Sequence, residues 1–547
     1  MTSTLYRNGV VHSPADPFAE ALLVADGTIT WIGAEDTAAG LAANADQVVD
    51  LDGALVAPAF VDAHVHVLES ALAAESVDLS ARAGVRTLDD ALAAVRRAAG
   101  AARSRGDRGP LLGHGWDELD WPERRPPTRA ELDVAADGAP VYLARVDVHS
   151  AVLSTSFAEA AGAVGLPGWT DDGRVERDAH HAARAAARQV EPDRRDALLR
   201  RGLRAAAAQG IASLHEHSAP GIDTREGLAR LLELTADPGD GLSHLVAYRG
   251  ELCTTEDDAR ELLAAIPGLT GIGGDLNVDG SLGSRTAALR EPYADDPAAG
   301  TGPLYLDPEQ IAAHLRAVGR AGVHAAFHVI GDRAMDAMLR GLQLAAEADG
   351  AGPVRAAGHR VEHAEMTDAA TIAALAGLGV RLSMQPAFDA AWGGTHGMYA
   401  SRLGAARAGT LNPFADLAAA GIPLAFGSDS PVTPFAPWAG VRAAMAHHEP
   451  SQRISARAAF RAHTRGGWRA AGLDHTGAGE IRVGAPAHLA VWRAEHLAVQ
   501  AADERVSAWS TDARAGTPLL PDLGPDAPDP VCVRTLRAGV VLHDALG

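Results

Sequence analysis

The sequence predicts an α/β fold in which eight parallel strands close into a TIM-like (β/α)8 barrel, with an inserted subdomain and a small β-sandwich formed by both chain ends. Three observations predict it. A unit of helix, glycine and short apolar strand recurs from about residue 200 onward. Histidines and aspartates gather where those strands stop. The two ends of the chain alternate apolar and polar residues, which the repeats do not.

The clearest units are "AAAAQGIASLHE", "AVGRAGVHAAFHVIGD", "ALAGLGVRLSMQP" and "LAAAGIPLAFGSDS", with Gly210, Gly322, Gly379 and Gly421 between helix and strand. Glycine accepts the left-handed conformation that closes a helix, and the unbroken apolar run after it suits a strand covered on both faces. Adding "LVAPAFVDAHVH", "LVAYRGEL", "GGDLNVDGS" and "HRVEHAE" gives strands beginning near residues 55, 211, 245, 274, 323, 359, 380 and 423. That is the strand number of a TIM barrel.

Residues from about 69 to 195 exceed one crossover and contain "LLGHGWDELDW" and "VYLARVDVHSAVLS", so they read as an insertion or lid. At the ends, "LYRNGVVHS", "ALLVADGTITWIGA", "APAHLAVWRA" and "VCVRTLRAGVVLH" read as antiparallel strands. The expected division is therefore a composite β-sandwich of residues 1–56 and 477–547 around a barrel of residues 57–476.

At 547 residues and 47% hydrophobic content the chain can bury a large core. Its two cysteines, Cys253 and Cys532, exclude a disulfide framework, and "MTSTLYRNGVV" lacks a basic segment followed by an apolar one, so a cytoplasmic protein is expected. Arg, Asp and Glu break the alanine-rich stretches before they reach the roughly 18 residues that span a bilayer. A formal net charge of −22 repels phosphate backbones, which argues against nucleic acid and for a small-molecule partner. A homo-oligomer is compatible with this composition. No lysine occurs, so all 48 basic side chains are arginine.

In "APAFVDAHVHVLES", His64 and His66 lie two apart and share one face of a strand. Two imidazoles aimed alike suggest a metal, although a hydrogen-bonded pair at a strand end is the plainer reading of the motif alone. Barrel chemistry collects at the carboxyl ends of the strands, and there His64, His66, Asp279, His328, His363, Gln385 and Asp429 fall together.

These residues resemble the metal-dependent amidohydrolase superfamily, specifically its amidohydrolase-3 branch, which includes N-substituted formamide deformylase-like enzymes. "VAPAFVDAHVH", "GHGWDE", "VDGSLGSRTAAL", "FHVIGDRAMD", "RVEHAE", "SMQPAF", "FGSDSPV", "HTRGGWRAAG" and "IRVGAPAHLAVW" follow the family order over nearly the whole chain. His488 stands where the family usually has an aspartate.

The resemblance implies that His64, His66, His328, His363 and Asp429 surround one or two divalent ions. Neutral imidazoles and a carboxylate suit zinc first, with manganese or iron also acceptable. It further implies a metal-bound water acidified toward a pKa of about 7, with Asp429 as general base and the resulting hydroxide attacking an amide-like carbonyl. His363 or His328 then helps hold the substrate oxygen. Weaker expectations place His114, Trp116, Asp117, His149, Asp279 and Arg285 against substrate, each competing with plain packing or a salt bridge. Glu216, between His215 and His217, is expected in a pocket or structural role.

The expected activity is hydrolysis of carbon–nitrogen bonds other than peptide bonds. The nearest rival is deamination of a cyclic amidine-type substrate, and the rival from another class is a non-catalytic scaffold on the same barrel. Relatives with two ions bridge them with a carboxylated lysine in Lys-x-x-x-Asp-Gly, where this chain begins at Asp275 and ends Asp279-Gly280. Without lysine that bridge cannot form. One tight ion is therefore expected, with Asp275 more a group that orients a ligand histidine than a bridge.

Overall fold

The computed structural model describes residues 2–500, 509–510 and 518–546. Residues 1, 501–508, 511–517 and 547, all within the expected end segments, lie outside the described residues.

The centre is a parallel sheet of eight strands: β1 (Phe60–Val65), β2 (Ile211–Ser218), β3 (His244–Arg249), β4 (Leu269–Ile272), β5 (His324–Val329), β6 (Arg360–His363), β7 (Arg381–Met384) and β8 (Leu424–Phe426). Each pairs with the next in sequence, as right-handed crossovers dictate. Backbone bonds bring the two ends together: the Asp429 N–H donates to His64 O at 2.8 Å and the His66 N–H to Ser430 O at 3.0 Å. The Asp62 carboxylate adds a seam by accepting from Ser428 N at 2.8 Å and Ser428 Oγ at 2.5 Å. The strands' apolar runs are buried on both faces, which is why they read as continuous rather than alternating.

Two expected strands shift. The run from Leu55 divides at Ala59: Leu55–Pro58 joins a sheet at the chain ends, and only Phe60–Val65 enters the barrel. The fourth strand stops at Ile272 rather than beginning near 274, because Gly273 and Gly274 take φ of 119° and 82°. A Cβ at Gly273 would stand 1.8 Å from Ala326 O, so only glycine fits that break. Asp275 and Asp279 thus lie on the loop above β4.

Between β1 and β2 a five-stranded sheet runs in the order Arg174–Glu176, Ser150–Leu153, Val141–Arg145, Leu111–Trp116, Val77–Asp78. It has its own apolar core around Trp116, Trp121, Leu132 and Leu143. Strands from both chain ends meet in one further sheet, where Leu489–Arg493 pairs with Leu55–Pro58 and with Val531–Arg537. Phe60 ties this region to the barrel floor, meeting Trp438, Phe460, His463 and Trp492 edge-on at centroid distances of 4.9, 5.3, 5.2 and 5.7 Å. Each such aromatic pair contributes about 0.5–1.5 kcal/mol beyond its buried area. Among the described residues, no helix is long and apolar enough to cross a membrane.

Candidate active site

At the carboxyl ends of the strands, the Nε2 atoms of His64 and His66 face two carboxylates. His64 Nε2 lies 3.3 Å from Asp275 Oδ1 and 3.5 Å from Asp429 Oδ1. His66 Nε2 lies 3.4 Å from Asp275 Oδ2 and 3.2 Å from Asp429 Oδ1. Donor atoms around one zinc ion stand about 3.3–3.4 Å apart, which these histidine–carboxylate spacings approach, and His64, His363 and Asp429 bring one donor atom each within 4.8 Å of one another, so the residues fit a metal ion. His64 Nε2 and Asp275 Oδ1 are also buried without a hydrogen-bond partner, as ligand atoms awaiting an ion are. A second group, Asp275, His328 and His363, brings its donor atoms within 4.8 Å of one another.

Local structure sets each ligand. His66 caps the helix Val67–Glu75, whose Val67 N–H donates to Glu216 Oε2 at 2.7 Å, so Glu216 fixes the turn that carries His66. His64 Nδ1 lies 2.9 Å from Glu362 Oε2; a carboxylate only accepts, so Nδ1 donates and Nε2 is left free for the centre. Glu362 in turn accepts from Arg360 Nη2 at 2.9 Å. Both residues are fully buried, and Arg360 also reaches His215 Nδ1 at 2.8 Å and Ala63 O. His217 stacks on His64 at 4.0 Å with ring planes 3° apart. His363 Nδ1 meets Gln385 Oε1 at 2.8 Å, and His328 Nε2 meets Gly280 O at 3.3 Å. His363 (φ 68°) and Asp429 (φ 55°) sit in the left-handed region, a strain that marks positions held for a purpose.

Charge follows this geometry. Burial opposes the protonated form of His64, but the facing Asp429 and Asp275 carboxylates outweigh it and hold that imidazole well above its ordinary pKa. Burial raises Asp429, and His64, His66 and His363 more than reverse this, leaving it below the usual carboxylate range. Asp275 is driven well below that range by the same competition, led against burial by His64 and His66. Burial lowers both His328 and His363, keeping them neutral. The site therefore concentrates negative charge on two carboxylates and keeps the lone pairs of His328 and His363 available, while the proton those carboxylates hold on His64 is one that a divalent cation would displace.

A cavity of about 300 Å³ leads to this cluster, lined by Asp275, Asp429, His149 and His363 on the barrel side and by Arg177, His180 and Arg184 from the insertion.

A family model described as the amidohydrolase family matches residues 47–543. The chain belongs to the amidohydrolase family. It is 26% identical over 446 residues to the putative amidohydrolase YtcJ of Bacillus subtilis, covering 78% of this chain and 80% of that one. It is 33% identical over 163 residues to the N-substituted formamide deformylase of Arthrobacter pascens, 29% of each chain. An uncharacterized metal-dependent hydrolase from Pyrococcus horikoshii superposes with a TM-score of 0.70 at 25% identity, over 90% of this chain and 97% of that one.

Within this amidohydrolase, the barrel brings His64, His66, His328, His363 and Asp429 together, and His149 joins them, its ring 5.3 Å from that of His328. Asp275 faces Nε2 of both His64 and His66 and belongs to two of the three candidate donor groups among the described residues, while Glu362 and Gln385 hold Nδ1 of His64 and of His363. Four weaker expectations give way to structural duties. Trp116 is buried in the insertion core and donates Nε1–H to Leu143 O at 3.0 Å. Asp117 caps a turn at Leu119 N and pairs with Arg145 at 2.7 Å. Asp279 accepts from the N–H groups of Ala288, Ile330 and Gly331 at 2.8, 3.0 and 2.8 Å, tying the β4 and β5 loops. Arg285 pairs with Asp295 through Nε and Nη2 at 3.1 and 2.9 Å. His114 lines a separate cavity beside Glu69 and Tyr142.

Sequence reasoning missed Arg360 and Glu362. Their signal was present: two charged residues at alternate positions of an otherwise apolar buried strand share one face and require partners. A continuous β6 would point Glu362 and His363 apart, and the left-handed break at His363 lets both serve the centre.

Proposed function

We propose that this protein is a zinc-dependent hydrolase of non-peptide carbon–nitrogen bonds, acting on amide-like small molecules in the cytoplasm. The observation that carries the reading is the meeting of His64 and His66 with Asp275 and Asp429, at 3.2–3.5 Å, beneath a substrate-sized cavity. A zinc ion bound there supplies a Lewis acid and acidifies water toward a pKa of about 7. His64 and His66 would hold it with both carboxylates, and Asp275, His328 and His363 offer a second group of donors. One tight ion remains the favoured stoichiometry, since the chain has no lysine to form a carboxylated bridge and Asp275 is shorter than that bridge.

The chain's own residues then divide the work. Asp429, ionised and beside the attacking position, accepts the water proton and returns it to the departing nitrogen. His328 and His363, neutral and buried beside the carboxylates, orient the carbonyl. The insertion closes the cavity on the other side and limits access of bulk water. The family membership and the resemblance to a formamide deformylase support amide hydrolysis over ring deamination.

The test compares metal-stripped and zinc-reloaded protein on formamides, acetamides and cyclic imides. Turnover restored by zinc, giving a carboxylic acid and an amine or ammonia, supports the reading. Ammonia released from a cyclic amidine without ring opening supports deamination, and intact ligands that bind zinc without any turnover support the scaffold.

A further inference from the structure

The cavity above the centre differs in charge from floor to mouth. Among the described residues that line it, the carboxylates are Asp275 and Asp429 at the floor, and the guanidinium groups are Arg177 and Arg184 on the side of the insertion. A divalent ion held by the two carboxylates offsets them, so the wall that meets the far end of a substrate is cationic. Burial lowers His149 and His180 and keeps both neutral, so they do not change that sign.

The two arginines differ in what already holds them. Arg184 donates to Glu69 through Nε at 2.7 Å and Nη2 at 2.5 Å, and Arg188 pairs with the same carboxylate. Two guanidinium groups thus share one carboxylate, while Asp223 close by is taken by Arg195. Arg177 forms no ion pair among the described residues. Its neighbours are engaged: Arg174 pairs with Glu176, Arg285 with Asp295, and Asp296 accepts from the Ala299 N–H.

Water alone satisfies many exposed arginines, and two observations set Arg177 apart from those. It opens the helix Arg177–Ala187 with a φ of 52°, a left-handed conformation that a long side chain rarely adopts and that collects at ligand-binding positions. Arg177 and Thr286 also line both the cavity and an adjoining groove of about 420 Å³, so this residue stands where one passes into the other. Its charge reaches the cavity wall: burial and then Asp279 push the Tyr305 hydroxyl up, and the Arg177 guanidinium opposes them. One free guanidinium presents a planar fork and offsets a single charge, which suits a carboxylate better than a phosphate dianion.

We propose that the substrate carries a carboxylate at the end remote from the scissile amide, and that Arg177 binds it at the cavity mouth. This rests on the hydrolase reading given above and adds the substrate's class: an acidic amide, with the acid on the acyl side as in a dicarboxylic monoamide, or on the amine side as in an N-acyl ω-amino acid. Water adds its oxygen to the acyl carbon, the carbon–nitrogen bond breaks, and a proton from that water goes to the departing nitrogen. The remote carboxylate takes no part in the bond changes. The surplus charge at Arg184 and Arg188 draws the anion toward the cavity from solution.

The experiment uses zinc-reloaded full-length protein and two series of acids, each beside its methyl ester: succinamate, glutaramate and adipamate, and the N-acetyl derivatives of β-alanine, 4-aminobutyrate and 5-aminopentanoate. At least one acid is expected to exceed its ester about 10–100-fold in kcat/KM, and the series in which it falls assigns the acid to the acyl or the amine side. Arg177→Gln is expected to erase most of that preference, chiefly by raising KM, with zinc content kept. Arg177→Glu is expected to turn the preference toward N-acetyl-1,4-diaminobutane, whose far end is an ammonium group. Calorimetry gives a reading that needs no turnover: glutarate or adipate should bind about 10-fold more tightly than its monomethyl ester, and Arg177→Gln should remove the difference. Acids that match their esters, or a preference that survives in Arg177→Gln because the carboxylate meets the zinc ion instead, would overturn this inference and leave the hydrolase reading intact. Turnover of no amide by zinc-loaded protein overturns the hydrolase reading, and the calorimetry then decides on its own whether Arg177 binds a carboxylate.

Discussion

Glu362→Gln removes a negative charge that is fully buried between His64 Nδ1 at 2.9 Å and Arg360 Nη2 at 2.9 Å. Two effects follow, and they are separable. Arg360 keeps its charge in the barrel interior with neutral partners alone, His215, His217, Tyr248 and Ala63 O, to accept from it. Breaking one side of a buried ion pair costs about 3–5 kcal/mol, and the glutamine oxygen, still an acceptor, places the expectation at the lower end. Losing the carboxylate behind a ligand histidine also costs about 10–100-fold in metal affinity, because the imidazole becomes less basic and less fixed in orientation. Urea unfolding of the metal-free variant reads the first effect. Zinc competition against a chelating dye reads the second. Glu362→Asp should recover part of the affinity, since charge is kept and reach is lost. A Gln variant that unfolds within about 0.5 kcal/mol of the parent and binds zinc equally tightly would refute the argument that this carboxylate governs His64.

The other predictions are briefer. Asp429→Asn keeps the shape of the base but removes its proton affinity, so turnover at neutral pH should fall about 10²–10⁴-fold; an unchanged rate removes Asp429 from the proton path. Asp275→Ala should strip the tight ion, leaving well under one equivalent after dialysis by elemental analysis; a parent that keeps two equivalents and a variant that keeps one would instead establish a carboxylate-bridged pair. Burial outweighs three amide donors and raises Asp279 to about 7. Its unfolded value is about 3.9, so the stability it contributes is complete below that pH and is lost as pH rises through about 7. Relative to Asp279→Asn, the parent should therefore lose about 2 kcal/mol of unfolding free energy between pH 5 and pH 8, and parallel pH profiles for the two proteins would contradict this.

The barrel was legible because its signal is local and repeated. Gly210, Gly322, Gly379 and Gly421 each take positive φ ahead of a buried strand, so helix end, turn and apolar run all lie within a dozen residues of sequence. The gathering of histidines was legible for the same reason: His64 and His66 two residues apart at the end of β1, and His328 and His363 at the ends of β5 and β6, are one-dimensional facts. The fourth strand was misplaced because Gly273 ends it early, which puts Asp275 on a loop, and that break is forced by Ala326 on the neighbouring strand. Arg285 and Asp117 show the converse limit. Both stand in family-like motifs, yet their partners, Asp295 and Arg145, decide their work, and no spacing rule reveals which of many carboxylates or guanidinium groups an ion will meet. Arg360 and Glu362 were hidden by their partners too: His64 is 298 residues from Glu362.

The seam between the first and last barrel strands carries a consequence for the order of assembly. Ser428 grips Asp62 across 366 residues of chain, and the backbone of His64 is bonded to that of Asp429. A nascent polypeptide leaving the ribosome presents His64 and His66 early, then waits through most of its synthesis for the carboxylate opposite them. Non-local pairings of this span form slowly, and exposed strand edges invite wrong partners in the interval. The meeting of Asp429 with His64 and His66 is thus completed at the same moment as the cylinder that surrounds it, after translation has passed residue 430.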